Sequence, residues 1–110
     1  MMDWPDDADG DVLRNMAAHG HDFTSRCDID FHVDFTGRTS PLAAIALLVD
    51  RFGPAWVEDS PEHGASVRFQ VHDRVSYELV TAVQAEASRL MAPFEGVCEA
   101  WGAIVSPRAG

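Results

Sequence analysis

The chain has 110 residues, enough for one domain with a single core, and its 46% hydrophobic content is ordinary for a globular protein. Eighteen acidic residues stand against eight basic ones, all arginine, so the formal net charge is -10. A surface this acidic repels phosphate backbones and anionic lipid, and we therefore expect neither direct nucleic acid binding nor membrane binding. A basic protein is a better match as a partner, although the charge could also serve solubility alone.

The start of the chain indicates where the protein works. Residues 1–11 hold five aspartates and no arginine, unlike the basic start of a secretory signal. No segment reaches the roughly 18 apolar residues that a membrane span needs. We therefore expect a cytoplasmic protein in which Cys27 and Cys98 are buried thiols and not a disulfide.

The first predicted elements are an acidic, flexible arm at residues 1–10 and a helix over about residues 11–19. The clearest strand follows at Cys27–Phe35, where apolar and polar residues alternate without exception. Such alternation predicts one face for a core and one for water.

The next segment predicts a helix with Ser40 as its N-cap and Pro41 as its first residue. Its apolar stripe is expected to face the core, and Gly53-Pro54 ends it. The stripe consists of Leu42, Ile45, Val49 and Phe52. Two strands, at residues 55–59 and 65–72, are joined by a hairpin loop at residues 60–64 that carries Pro61 and Gly64.

A third helix is predicted from about residue 75 or 76 to residue 92, and a last strand at residues 97–105 precedes a C-terminal tail at residues 106–110. Without the first helix the element order is βαββαβ, the ferredoxin-like pattern. We therefore predict an α+β fold at residues 11–105. It is a ferredoxin-like sandwich with an extra N-terminal helix and a four-stranded antiparallel sheet. The first and third strands are central, the helices cover one face, and the other face is open.

The open face is the predicted partner-binding site. The alternation of the first and third strands places Asp30, His32 and Arg68 outward. In the last strand we expect Glu99 and Trp101 outward and Cys98, Ala100 and Ile104 inward, because a carboxylate should not enter a core. A single β-bulge would invert this assignment. The predicted partner-binding residues are Asp30, His32, Arg68, Glu99 and Trp101.

Three interpretations of this face are open. It is a solvated surface with cross-strand ion pairs such as Asp30 with Arg68, a protein docking surface anchored by an arginine and a tryptophan, or a metal site built from His32, His72 and a carboxylate. The chain has no HExxH or CxxC motif, no phosphate loop, no GxSxG elbow and no dinucleotide fingerprint. We therefore predict no catalytic residue, no metal and no cofactor.

Short motifs at both ends resemble the family called regulator of ribonuclease activity B. That family opens with a D-x-VL helix, continues with G-x-D, and has R-x-VD running into a strand that ends in Phe. Its last strand has a Gly-Glu-Tyr-Asp-Gly-Trp-Gly segment. Gly96–Gly102 resembles this segment, but Val97, Cys98, Glu99 and Ala100 replace its Glu, Tyr, Asp and Gly. The N-terminal positions that carry the resemblance are Asp11–Arg14, Gly20, Asp22, Arg26, Ile29–Phe31 and Phe35.

The resemblance implies a modified ferredoxin-like fold and a non-enzymatic inhibitor that binds the endoribonuclease ribonuclease E and modulates RNA decay. We expect a protein partner, which is ribonuclease E or another basic protein. Two alternatives are kept open. One is a dimeric enzyme that uses His32 or His72 in a cleft of the sheet face as its acid or base. The other is a small-molecule-binding domain with its ligand at a homodimer interface.

Overall fold

The structure, a computed structural model, describes residues 4–105, so the predicted C-terminal tail at residues 106–110 lies outside the described residues. The described elements confirm the predicted α+β class and the element order, with one short 3-10 turn added before the last strand. They are α1 Ala8–Ala18, β1 Arg26–Phe35, α2 Leu42–Arg51, β2 Ala55–Val57, β3 Ser66–Arg74, α3 Tyr77–Met91, the turn Ala92–Phe94 and β4 Gly96–Ala103.

The four strands form one antiparallel sheet in the order β2-β3-β1-β4, with β1 and β3 in the centre as predicted. Phe31 of β1 lies opposite Phe69 of β3, and their rings stack with centroids 5.3 Å apart. Stacked aromatic pairs in adjacent strands stabilise both the pairing and its register. Within residues 4–105, no helix is both long enough and apolar enough to cross a bilayer.

The hydrophobic core lies between the three helices and one face of the sheet, which we call the inner face. From β1, Ile29, Phe31 and Val33 are fully buried there, because the strand places every second side chain on this side. All three helices contribute to the same core, including Leu13 of α1, Leu48 of α2 and Val80 of α3, among other residues. The opposite face of the sheet, the outer face, receives no helix from the described chain.

Helix α1 begins three residues before its predicted start, so the predicted boundary of the arm at residue 10 falls inside the helix. Asp7 is the N-cap, and its carboxylate accepts a hydrogen bond of 2.7 Å from the backbone N–H of Gly10. Asp9 and Asp11 occupy the first turn, where the helix dipole favours negative charge. The acidic residues at 7–11 therefore start a helix and are not part of an unstructured arm.

Ser40 is not the N-cap of α2, because Pro41 occupies that position without a side-chain cap. The Ser40 hydroxyl instead donates to Asp59 Oδ1 at 2.6 Å, and the backbone N–H of Ser66 donates to the same oxygen at 3.0 Å. These bonds, the one from Ser40 first, lower the pKa of the Asp59 carboxyl because they stabilise its charged form. Asp59 thus joins the start of α2 to the hairpin that links β2 and β3.

Only part of the predicted apolar stripe of α2 faces the core, where Ile45 and Phe52 pack half-buried. The helix fully buries Ala44 and Leu48 instead, whereas Leu42 is 84% exposed and Val49 is 47% exposed. The other flank of the helix lies next to α3, since Arg51 there reaches Glu86 of α3 at 3.9 Å. The stripe is therefore turned away from α3, towards the β2 edge of the sheet.

We predict that Gly96→Ala destabilises the protein by about 1–3 kcal/mol, as overpacking of a core does. A Cβ at Gly96 would lie 2.6 Å from Cε1 of Phe35 and 3.0 Å from Cβ of Met91. Gly102→Ala, in the same strand, is the control because no atom lies within 4 Å of its added Cβ. Urea unfolding of both variants measures the difference, and equal losses would contradict the steric explanation.

Candidate functional site

The outer face is left without a covering layer by residues 4–105, and its centre is Arg68. The register puts His32 of β1 and Trp56 of β2 on either side of Arg68, in one row across three strands. The neighbouring rows bring acidic and polar side chains to the same side of the sheet. They are Asp28, Asp30 and Asp34 of β1, Gln70 and His72 of β3, and Glu58, which follows β2.

The Arg68 guanidinium is held by three neighbours. Its Nη1 lies 3.3 Å from Asp30 Oδ1, and its Nε lies 3.3 Å from Glu58 Oε2. Its central carbon lies 4.2 Å from the centroid of the Trp56 ring, within cation–π distance. The Arg68 side chain is only 26% exposed, so the two carboxylates and the indole hold it flat on the sheet.

Two further contacts complete this cluster. The side-chain amide of Gln70 donates to Asp30 Oδ1 at 2.9 Å, and His32 Nδ1 lies 3.7 Å from Glu58 Oε1. The predicted ion pair between Asp30 and Arg68 is therefore confirmed as a structural feature. It does not consume all the negative charge of the face, because the face carries four carboxylates, at residues 28, 30, 34 and 58, and only Asp30 and Glu58 contact Arg68.

A shallow depression of about 420 Å³ lies at one end of the outer face. His72 and Asp28 line it, and Nδ1 of the histidine is 2.9 Å from a carboxylate oxygen of the aspartate. Cys27 also lines it, but burial raises the pKa of this thiol and so keeps it protonated. The depression thus combines two exposed polar side chains with a weakly reactive thiol.

The structure does not bring His32 and His72 together. They occupy rows four residues apart along the strands, which is about 13 Å. Among residues 4–105, no group of three His, Cys, Asp or Glu side chains is arranged to hold a metal ion.

Both cysteines are free thiols, and Cys98 is buried as the sequence predicts, whereas Cys27 is only half-buried. Cys27 and the β1 partner of Cys98, Val33, are six residues apart, so about 20 Å of strand separates the thiols. Burial raises the pKa of the Cys98 thiol to about 12, because a thiolate would lose its hydration there.

The outward assignment of Trp101 is wrong, because β4 contains a β-bulge. His32 pairs with Ala100 and Val33 pairs with Cys98, so Glu99 is an extra residue without a partner on β1. The bulge turns Trp101 to the inner face, opposite Phe31, where it is 8% exposed. The surface role predicted for its indole is therefore withdrawn.

The bulge corrects the neighbouring assignments as well. Ala100, predicted inward, is exposed, and Ile104, also predicted inward, lies beyond the end of β4 and is 87% exposed. Glu99 is exposed and Cys98 is buried, as predicted. Glu99 lies near Asp9 and Gln84, which line the same shallow pocket at the β4 edge. It is therefore distant from Arg68, and the predicted partner-binding residues that the outer face brings together are Asp30, His32 and Arg68.

The buried Trp101 has a structural role that joins three elements. Its indole N–H donates to Asp9 Oδ1 at 2.9 Å, and the side-chain amide of Gln84 donates to the same oxygen at 3.1 Å. Asp9 lies in α1, Gln84 in α3 and Trp101 in β4. One carboxylate therefore satisfies two polar groups that are nine-tenths buried and ties α1 to the rest of the fold.

Trp56 is the residue of the outer face that the sequence analysis missed. It is 40% exposed and lies directly beside Arg68. The sequence did contain a signal for this residue. If the predicted strands at residues 55–59 and 65–72 pair directly across the loop at residues 60–64, Trp56 lies opposite Arg68 and on the same face.

We predict that Asp9→Ala lowers the free energy of unfolding by about 1–3 kcal/mol, because the indole of Trp101 would lose its acceptor in a buried place and the amide of Gln84 would keep only the carbonyl of Val80. Asp9→Asn keeps an acceptor oxygen and should cost less. Urea unfolding distinguishes the two variants. If both variants are equally destabilised, the effect comes from the interaction between the Asp9 charge and the dipole of α1, and not from the hydrogen bonds.

We predict an energetic coupling of about 0.5–1 kcal/mol between Arg68 and Trp56, the value of a cation–π contact at a partly exposed site. A double-mutant cycle with Arg68→Met and Trp56→Leu, followed by urea unfolding, measures it. A parallel cycle with Arg26→Met is the control, because Arg26 lies at the far end of the β1–β3 pair. Coupling that is absent in the first cycle, or as large in the second, would contradict the assigned contact.

Comparison with known proteins agrees with the fold. A family model described as Regulator of ribonuclease activity B matches residues 6–103, from the residue before the N-cap of α1 to the end of β4. The match confirms the resemblance that the motifs at both ends indicate. No curated protein matches the chain.

Proposed function

We propose a function from one premise: this chain belongs to the family of regulators of ribonuclease activity B, whose model covers residues 6–103. The proposed function is that of a cytoplasmic, non-enzymatic regulator that binds a protein partner through its outer face. The partner is an endoribonuclease of the ribonuclease E type, or another protein that presents a segment rich in arginine and lysine.

The observation that carries this proposal is an uncovered sheet face on which the four carboxylates of residues 28, 30, 34 and 58 stand against the three arginines at 26, 68 and 74. Asp28, the most exposed of the ion-paired acids on this face, has a side chain that is 62% exposed, and Glu58 is 44% exposed. A surface with this charge attracts a basic segment and accelerates its association. The net charge of -10 gives the same bias over longer distances.

Trp56 and Arg68 supply a contact point inside this acidic surround. Tryptophan and arginine are the residue types that most often dominate the binding energy of protein interfaces. The Arg68 guanidinium is already held in place by Asp30, Glu58 and the indole, so little side-chain freedom would be lost on binding. We assign the anchoring role to Trp56, together with Asp30, His32 and Arg68.

The chemistry of the outer face supports binding over catalysis. Its best-oriented imidazole, that of His72, contacts Asp28 in a depression open to solvent. The thiol that lines the same depression, Cys27, has a raised pKa and is a poor nucleophile at neutral pH. A regulator acts instead by occupying a surface of the enzyme that it controls.

We predict that Trp56→Ala weakens binding to purified ribonuclease E by about 2 kcal/mol, roughly thirtyfold, because the indole would be the buried anchor of the interface. Surface plasmon resonance at low and high salt measures the affinity. Leu47→Ala is a matched control, since Leu47 is 41% exposed against 40% for Trp56 but lies on α2, away from the outer face. Equal losses in the two variants would contradict the proposed surface.

Charge substitutions test the electrostatic part of the proposal independently. Asp28→Asn should slow association and reduce its dependence on salt, because screening acts on exposed charges. Asp6→Asn removes the same charge from a fully exposed carboxylate near the start of α1, and should have a smaller effect. An association rate that does not change with salt in the wild-type protein would rule out steering by the acidic face.

A further inference from the structure

The β2 edge of the sheet is open, and its backbone is oriented for pairing. The backbone N–H of Glu58 donates to the carbonyl of Ser66 at 2.8 Å, and the carbonyl of Pro54 accepts from the N–H of Gln70 at 3.0 Å. Because antiparallel residues alternate between the two sides of a strand, Ala55 and Val57 turn their N–H and C=O groups away from β3, to the open edge. An edge of this kind can accept another strand.

An apolar surface overhangs this edge. It is the stripe of α2 that the sequence predicts for the core, and it lies on the flank opposite Arg51, which contacts α3. Leu42 and Val49 are exposed in this stripe, and Val57 of β2 below them is 52% exposed. Ile45 and Phe52, which are half-buried, join the stripe to the core.

We propose that the β2 edge and the α2 stripe form a docking site for an extended segment of a partner protein, which adds to the sheet as a fifth strand. Such a strand would pair its backbone with Ala55 and Val57. Its inward side chains would lie under Leu42 and Val49, and its outward side chains would lie beside Trp56 and Glu58. This site adjoins the outer face at Trp56 and Glu58, but its backbone edge and its apolar stripe lie outside that face, and the proposal does not depend on the proposed function.

The two sides of the site define the chemistry of the segment. Side chains of an added strand alternate between the two faces, so the inward ones should be apolar to match the stripe. The outward ones should be basic, because Glu58 is exposed on that side of the edge and the chain as a whole is acidic. The segment that fits is therefore one in which aliphatic and basic residues alternate.

Charge also argues against a second copy of this chain as the occupant. Pairing of two β2 edges about a twofold axis would bring together two chains of net charge -10, with their Glu58 and Asp59 side chains close to the interface. Like charges at close range oppose such an association. A basic partner segment meets no such repulsion.

The test uses a fluorescent heptapeptide, Arg-Val-Arg-Val-Arg-Val-Arg, and the full chain. Fluorescence anisotropy should show binding that Leu42→Ser and Val49→Ser each weaken about tenfold. Leu47→Ser is the matched control, because it makes the same change on the other flank of α2, and it should bind like the wild-type protein. A peptide of the same composition with its three valines consecutive should bind about tenfold more weakly, since it cannot place them all on one face.

Hydrogen exchange gives a second readout, which a simple charge attraction would not change. The amides of Ala55 and Val57 should exchange more slowly when the alternating peptide is bound. The proposal is overturned if the alternating peptide does not bind, if the rearranged peptide binds equally well, if Leu47→Ser weakens binding as much as Leu42→Ser, or if these two amides are not protected. It is also overturned if the chain sediments as a dimer that Leu42→Ser dissociates, because a second copy would then occupy the site.

Discussion

The hydrogen bond between the indole of Trp101 and the carboxylate of Asp9 joins the edge strand β4 to helix α1, and the amide of Gln84 brings α3 to the same oxygen. This arrangement depends on the β-bulge at Glu99, since a regular strand continuing from Cys98 would direct the indole to solvent. The extra residue therefore decides both how α1 is held and which aromatic side chain remains on the surface. With Trp101 inside, Trp56 is the indole that lies on the outer face.

The fold separates two kinds of chemistry on the two sides of one sheet. The inner face of β1 is fully apolar in its centre, and the helices lie only on that side. The outer face keeps its charges in water and organises them around Arg68, whose contacts with Asp30 and Glu58 keep the cluster ordered without a covering layer. A domain that concentrates its polar groups on such a flat surface is suited to recognising another macromolecule, in agreement with its membership in a family of ribonuclease regulators.

Much of this architecture could be predicted from the sequence because local pattern and tertiary structure agree. The alternation of β1 identifies the strand, its buried side and two residues of the outer face, Asp30 and His32, and the alternation of β3 identifies Arg68. The failures have physical reasons. The bulge at Glu99 adds one residue to β4, and nothing in the sequence around it marks this insertion. The alternation of inward and outward side chains could therefore not be predicted correctly beyond Glu99. In α2 apolar residues lie on two sides of one helix, and which side is fully buried depends on where the sheet and α3 lie, which the sequence of the helix does not show.

The alternation in β1 also bears on how such a domain can diverge. Since Asp28, Asp30 and His32 share no contacts with the core, substitutions at these positions can alter the charge of the outer face while Ile29, Phe31 and Val33 continue to hold the layers together. The packing of the core and the charge of the outer face are thereby encoded in interleaved sets of positions. One scaffold can in this way acquire new binding specificities without passing through unfolded intermediates.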